Sequence, residues 1–142
     1  MSQQNIEMVR AANIALNQGD LDSAFEFYAA DAEFRDLLNG PDQPSVVRGA
    51  AAAREVLALW VAAFDELRSE VHEYIDAGDA VICAVRWSGH GKQSGISIDV
   101  RQFDTYEFRD GKVIRATLGY RSKAEALEAV GLSEQDAPPG PP

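Results

Sequence analysis

Gly95-Ile96-Ser97-Ile98-Asp99-Val100-Arg101-Gln102-Phe103-Asp104-Thr105-Tyr106-Glu107-Phe108-Arg109 decides the fold. Side chains of a strand alternate between two faces with a period of two. The even positions are Ile96, Ile98, Val100, Gln102, Asp104, Tyr106 and Phe108, a mainly apolar and therefore inward face. The odd positions, Ser97 to Arg109, are mostly charged and read as the wet face. Asp104 breaks this pattern as a carboxylate in the middle of the apolar face. Burial raises the pKa of a carboxylate unless a partner supports its charge, and such groups concentrate at functional sites. The competing reading is an Asp104 tied off by hydrogen bonds as a purely structural group.

The next segment, Lys112 to Arg121, is separated from this strand by Arg109-Asp110-Gly111. A two-residue Asp-Gly hairpin loop would pair Phe108 with Val113. Carried along the strands, that register sets Arg115 and Thr117 inward and Ile114, Ala116, Leu118 and Tyr120 outward. A three-residue loop with a bulge at Gly111 places Tyr106 opposite Ile114 and Asp104 opposite Ala116, and so aligns the apolar sets. The apolar pattern favours the three-residue loop.

Upstream, Ile6, Val9, Ala12, Asn13 and Leu16 follow helical spacing from about Gln4 to Gln18. Gly19 ends that helix and Asp20 caps a second, with Leu21, Ala24, Phe25 and Tyr28 on one face. Tyr28 reads either as a core tyrosine with a wet hydroxyl or as a site residue. In the short strand that follows, Ala32, Phe34 and Asp36 share a face, so Asp36 repeats the anomaly of Asp104 near a strand end, where capping is the alternative. Leu37 to Arg48, with Asn39-Gly40-Pro41 and Pro44, reads as a loop over a cavity mouth. Ala50 to about Glu66 is the strongest helix, its stripe including Leu57, Trp60, Val61 and Phe64.

Glu70 to Asp76 and Ala80 to Ser88 read as strands, the second nearly continuously apolar and so interior to the sheet. Arg86 extends that run, where it either enters the cavity to hold an anion or carbonyl or, more ordinarily, lays its stem along the surface. Gly89 to Gly95 reads as a loop. Ser122 caps a short last helix, Lys123 to Val130, ended by Gly131. Four prolines over residues 133–142 predict a disordered tail after one domain spanning 1–132.

The chain has 142 residues, 46% of them hydrophobic, enough for a core. Its net charge of −10 disfavours nucleic acid and anionic membranes as partners. Cys83 is the one cysteine and cannot form an intramolecular disulfide; it reads as a small core residue. His72 and His90 have no metal-like spacing, so no metal is expected, and no phosphate cradle or nucleophile elbow is present. A polar Met1 to Asn5 and the lack of a long apolar run predict a soluble, cytoplasmic protein. The chemistry left is that of two inward acids, Asp36 and Asp104. One acid that stays ionised can remove a proton while a protonated one donates to a developing oxyanion, as in isomerisation or aldol cyclisation next to a carbonyl.

Several stretches carry a family resemblance: Gly19-Asp20-Leu21, Phe27-Tyr28-Ala29-Ala30-Asp31-Ala32, Arg48-Gly49 and Asp104-Thr105-Tyr106-Glu107-Phe108-Arg109-Asp110-Gly111-Lys112-Val113. Together with the element order they resemble the nuclear transport factor 2-like superfamily, and within it the SnoaL-like domains, over about Asn5 to Leu132. The resemblance implies an α+β conical half-barrel: a curved, mixed but mostly antiparallel sheet wrapped around three N-terminal helices, with a short C-terminal helix. It also implies a pocket for a small hydrophobic molecule, no cofactor, and a homodimer through the sheet. Similarity to the ketosteroid isomerases implies Asp36 as general base and Asp104 as oxyanion donor. Their helix-borne tyrosine falls near Ala12, which cannot donate, and this argues against steroid isomerisation. Similarity to the polyketide cyclases implies Asp104 as the acid/base. The Arg-x-Asp strand motif of the limonene epoxide hydrolases is not matched, since Arg86-Trp87-Ser88 lacks the Asp. Arg121 to Leu132 resembles bacterial members of the superfamily. The expected pocket residues are Tyr28, Trp60, Phe64, Arg86, Gln102, Tyr106 and Leu118, with Asp36 and Asp104 as catalytic acids. The alternatives are a non-catalytic apolar-ligand binder and a dimerising accessory module.

Overall fold

The computed structural model describes residues 2–38 and 45–132. Helices α1 (Ser2–Asn17) and α2 (Leu21–Ala24) precede strands β1 (Tyr28–Asp36) and β2 (Ser45–Arg48). Helix α3 (Ala50–Ala63) leads into β3 (Phe64–Asp76), β4 (Ala80–Gly91), β5 (Ser97–Arg109) and β6 (Lys112–Tyr120), and α4 (Lys123–Ala129) follows. The strands form one six-stranded sheet in the order β2-β1-β6-β5-β4-β3. Only the β1–β6 pair is parallel. This is the expected α+β half-barrel, an open, curved sheet with the N-terminal helices inside. The expected tail over 133–142 lies outside the described residues, as does 39–44 of the expected loop.

Helices α1 and α3 fill the concave side. Ile6, Val9, Ala53 and Leu57 pack there against Phe34, Val85, Trp87, Phe108, Ala116 and Leu118. A smaller cluster on the other side sets Ala126 and Leu127 of α4 over Ile75 and Ile82, with Phe103 and Tyr120 beside them. This corrects one expectation: the odd face of β5 is not wet throughout, because α4 covers Phe103 and Thr105 is 1% exposed. It also explains the unbroken apolar run of β4, in which Val81, Cys83, Val85 and Trp87 serve the inner core and Ile82 the outer one.

Three element boundaries differ from expectation because tertiary hydrogen bonds override local periodicity. Helix α2 is a single turn capped by Asp20, whose carboxylate accepts from Ser23 N–H at 3.2 Å. The chain then joins β6 early, with Val113 N–H donating to Phe27 O at 2.8 Å, so Tyr28 is a strand residue and not the end of a helical stripe. Likewise α3 stops at Ala63, whose carbonyl accepts from Lys92 N–H at 3.0 Å, and Phe64 begins a strand paired with Gly91. Ser45–Arg48, expected as loop, forms a short edge strand on β1. At the opposite edge, the backbone of Ser69 is satisfied by a helix side chain: Asn17 Nδ2 donates to its carbonyl and Asn17 Oδ1 accepts from its N–H. That contact blunts an otherwise open sheet edge and pins α1 to β3.

The β5–β6 hairpin decides the site, and neither simple register holds. The loop has two residues: Asp110 and Gly111 have φ of 52° and 75°, and Phe108 pairs with Val113. Positive φ at both central positions is the turn type whose twist suits a hairpin. The three-residue loop expected from the apolar pattern is therefore wrong. The shift it was meant to supply lies inside β6 instead. Between Glu107 and Phe108 the pairing slips by one, so Tyr106 faces Ala116 and Thr105 faces Thr117. A second irregularity follows, after which Phe103 faces Tyr120. Leu118 and Gly119 thus stand opposite Asp104 alone, a bulge with Gly119 at φ 110°.

A side chain at Gly119 would be strained by that φ and would meet Leu37 Cβ at 3.3 Å. Gly119→Ala is expected to lower unfolding stability by roughly 1–3 kcal/mol. Guanidinium unfolding reads this directly, and an unchanged midpoint would show that the bulge tolerates a β-carbon.

Candidate functional site

The Gly119 bulge turns a backbone N–H toward the concave side, where it donates to Asp104 Oδ1 at 3.0 Å. Gln102, two residues earlier on the same face of β5, donates its Nε2 to Oδ1 at 2.8 Å. Trp87, on neighbouring β4, donates its indole N–H to Oδ2 at 3.0 Å. Asp104 is 1% exposed, so three adjacent strands supply the donors that replace water. Oδ1 accepts two bonds and Oδ2 one, which leaves about one acceptor position of a carboxylate's four open. Burial pushes the Asp104 pKa up to about 6; the bonds from Trp87, Gln102 and Gly119 oppose this, and the charge of Asp36 adds slightly to it.

Asp104 borders an inner cavity of about 50 Å³, under α1 and over β4–β5. Tyr28, Tyr106, Cys83 and Leu118 share that cavity with it. Burial raises the pKa of Tyr28, Tyr106 and Cys83, and the Asp104 charge raises each further. Both phenols and the thiol are therefore neutral near pH 7, so the cavity holds one ionisable acid and two phenolic donors, with Ser69 and Asn13 as further polar lining.

A second, outer hollow of about 170 Å³ lies across Trp87 and Leu118, which border both spaces. Trp60, Phe64, Gln102 and Asp36 line it. The structure thus divides the expected site: Asp104, Tyr28 and Tyr106 border the inner cavity, Asp36, Trp60, Phe64 and Gln102 the outer one, and Leu118 both. Asp36 Oδ1 accepts from Leu38 N–H at 2.7 Å, a turn-capping bond just past the end of β1. Arg86 needs correction. It borders neither space and lies on the outer side of β4, where its guanidinium bonds Asp99 twice, at 2.7 and 2.8 Å, and approaches Glu70 at 3.7 Å. The reason is parity, since Val85 and Trp87 point inward and the residue between them points out.

Two residues escaped the sequence reading. Trp87 was legible by counting β4 in twos from Val81, which puts it on the face of Cys83 and Val85. Gly119 carried a weaker signal, a glycine inside a strand, which marks a bulge or a close backbone approach. Among the described residues, no group of three His, Cys, Asp or Glu could hold a metal ion. No helix among them is long and apolar enough to cross a membrane.

A family model described as SnoaL-like domain matches residues 9–116. No curated protein matches the chain. Solved structures do. A Catenulispora acidiphila protein with a ketosteroid isomerase-like fold, in complex with trimethylamine, is 20% identical, with 93% of this chain and 98% of that one covered and a TM-score of 0.70. A candidate SnoaL-like polyketide cyclase from Jannaschia sp. CCS1 is 22% identical over 82% of this chain and 84% of that one, with a TM-score of 0.71. A Mycobacterium tuberculosis protein in complex with estradiol-17beta-hemisuccinate is 16% identical over 84% of this chain and 95% of that one, at a TM-score of 0.70. At these identities the likeness is one of fold.

The raised pKa of Asp104 has a thermodynamic signature. Its folded value, about 6, lies above the unfolded value of 3.8, so between them the folded state holds more protons and stability falls as pH rises. Relative to Asp104→Asn, the wild type is expected to lose roughly 2–3 kcal/mol between pH 4 and pH 7, from the size of the shift. Urea unfolding of both proteins across that window isolates the group from the other carboxylates. A pH-independent difference would place the Asp104 pKa near its ordinary value.

Proposed function

The chain belongs to the SnoaL-like domain family, and we propose that it acts without a cofactor on a small, largely apolar carbonyl compound, with Asp104 as the acid/base. The observation that carries this reading is the Asp104 carboxylate itself: buried, held by three N–H donors, and left with an open acceptor position beside a mainly apolar cavity. A pKa of about 6 leaves it mostly ionised at pH 7, yet close enough to the working pH to give a proton back. In the proposed step, Asp104 takes a proton from a carbon next to the carbonyl. The carbonyl oxygen, as it gains charge, accepts a hydrogen bond from the neutral hydroxyl of Tyr28 or Tyr106. The same carboxylic acid then returns the proton at the new position or to a cyclised product.

Size sets a condition. A cavity of about 150 Å³ holds a benzene ring, so the inner space of about 50 Å³ admits only the reacting end of such a molecule. A larger ligand needs some of the lining to yield, Trp87 or Leu118 where it would reach into the second hollow. The two-acid scheme, with Asp36 as base, is the weaker form of the proposal because Asp36 borders the other hollow. A binding role without turnover is favoured by the same fact, since a single acid lines the inner cavity. The complexes of relatives with trimethylamine and with a steroid ester support small-molecule binding in either case. The proposal includes a bacterial, cytoplasmic homodimer through the outer sheet face, whose Arg86, Asp99 and Glu70 suit a polar contact.

Deuterium uptake next to the carbonyl of a panel of cyclic enones, followed by NMR in D₂O, tests the chemistry. Wild-type protein is expected to accelerate exchange into at least one member, and Asp104→Asn to reduce that acceleration by 100-fold or more, on the order of a general base's contribution. Exchange undiminished in Asp104→Asn rejects the role, and saturable binding without exchange leaves the binding reading.

A further inference from the structure

The outer hollow has a chemistry that the proposed reaction does not use. It is walled by Trp60, Trp87 and Phe64 and is almost wholly apolar, with Asp36 among the residues at its border. The two indoles stand edge to face, with centroids 6.2 Å apart and planes at 86°, and both border the hollow. The faces of aromatic rings attract cations, and indole does so most strongly. No lysine or arginine lines this space among the described residues. No salt bridge among them involves Asp36.

We propose that the outer hollow, with Trp60, Trp87 and Phe64 as its walls and Asp36 as counter-charge, is a binding site for a small organic cation of the tertiary or quaternary ammonium class. The alkyl groups of such a cation are apolar and suit the aromatic walls. Its charge is diffuse and cheap to dehydrate, and Asp36 Oδ1 is committed to Leu38 N–H while Oδ2 carries no bond within the described residues. A volume of about 170 Å³ exceeds the roughly 150 Å³ that holds benzene, so a trimethylammonium group with a short substituent fits. The net charge of −10 gives the protein as a whole a field that favours cations over anions. The site stands whether or not Asp104 performs chemistry.

The chain has two tryptophans, and both line the hollow, so intrinsic fluorescence reports its occupancy. The probes are choline and its uncharged isostere 3,3-dimethylbutan-1-ol, at constant ionic strength. Choline is expected to change the emission saturably with a Kd of about 0.1–10 mM, and the alcohol to bind at least tenfold more weakly. Asp36→Asn keeps an oxygen for Leu38 N–H, so the turn survives; it is expected to weaken choline about tenfold. Asp99→Asn removes the same charge from the outer sheet face and is expected to leave choline binding unchanged. The proposal is overturned by any of three results: no saturation below about 50 mM choline, equal binding of the alcohol, or equal effects of Asp36→Asn and Asp99→Asn.

Discussion

A carboxylate inside the sheet can be kept only if the fold supplies what water would have supplied, and the strand arrangement around Asp104 meets that demand. Its donors come from β4, β5 and β6, one from each, and no two of them are of the same chemical kind: an indole, a carboxamide and a backbone amide. The group therefore reports on the mutual register of three strands. A slip of one residue in β4 would send Trp87 to the outer side, and loss of the β6 bulge would turn Gly119 N–H away. Compensation is incomplete, since burial still outweighs the three bonds and the pKa stays raised. An acid that is supported but not fully stabilised has its two protonation states close in energy near neutral pH, which a structural anchor does not need and a proton-transfer group does.

Much of this was legible in the sequence, and the parts that were not share a cause. Asp104 is inward because the sequence of β5 alternates in polarity around it, so counting in twos places it, although Thr105 is buried as well and Val100 on the same face is exposed. The caps at Asp20 and Ser122 were legible because their side-chain oxygens bond N–H groups three residues on, a purely local event. Tyr28 and Phe64 sit where a helical stripe runs into a strand with no glycine or proline between them. There the boundary is set by a distant partner, Val113 for one and Gly91 for the other, which no local pattern contains. The hairpin is the instructive case. Two local signals conflicted, the Asp-Gly turn and the apolar match, under the assumption that one register held along the whole strand. Both signals were sound, and the assumption was not: the turn is right at the tip, and bulges restore the apolar match further along. Arg86 was obscured by the opposite circumstance, because α4 makes the outer face of β4 apolar too and so hides the parity that would have placed it.

Trp87 and Leu118 give the site its second organising feature. They belong to both hollows, and between them they separate the two acids that the family resemblance would join. Trp87 is the more constrained. Its N–H is committed to Asp104 while its ring packs edge to face on Trp60, so moving it costs both contacts. The N–H end of the indole thus supports Asp104 in the inner cavity, while the residue also borders the outer hollow.

The separation also narrows the chemistry available. With two acids at one point, a proton can be taken by one group and delivered by another, and the reaction has no need to conserve it. With Asp104 alone, and its one open acceptor position, the proton removed must be the proton returned, unless solvent reaches a cavity that is mainly apolar and about 50 Å³ in volume. Reactions that consume water need room for the nucleophile and a base to activate it, and the inner space offers little of the first once a ligand enters. Reactions that only relocate a proton need neither. On the proposed reading, transfer therefore occurs on one face of the substrate, with the neutral tyrosines holding the oxygen while the charge is there. Isomerisation and ring closure, the reactions proposed above, are of this kind.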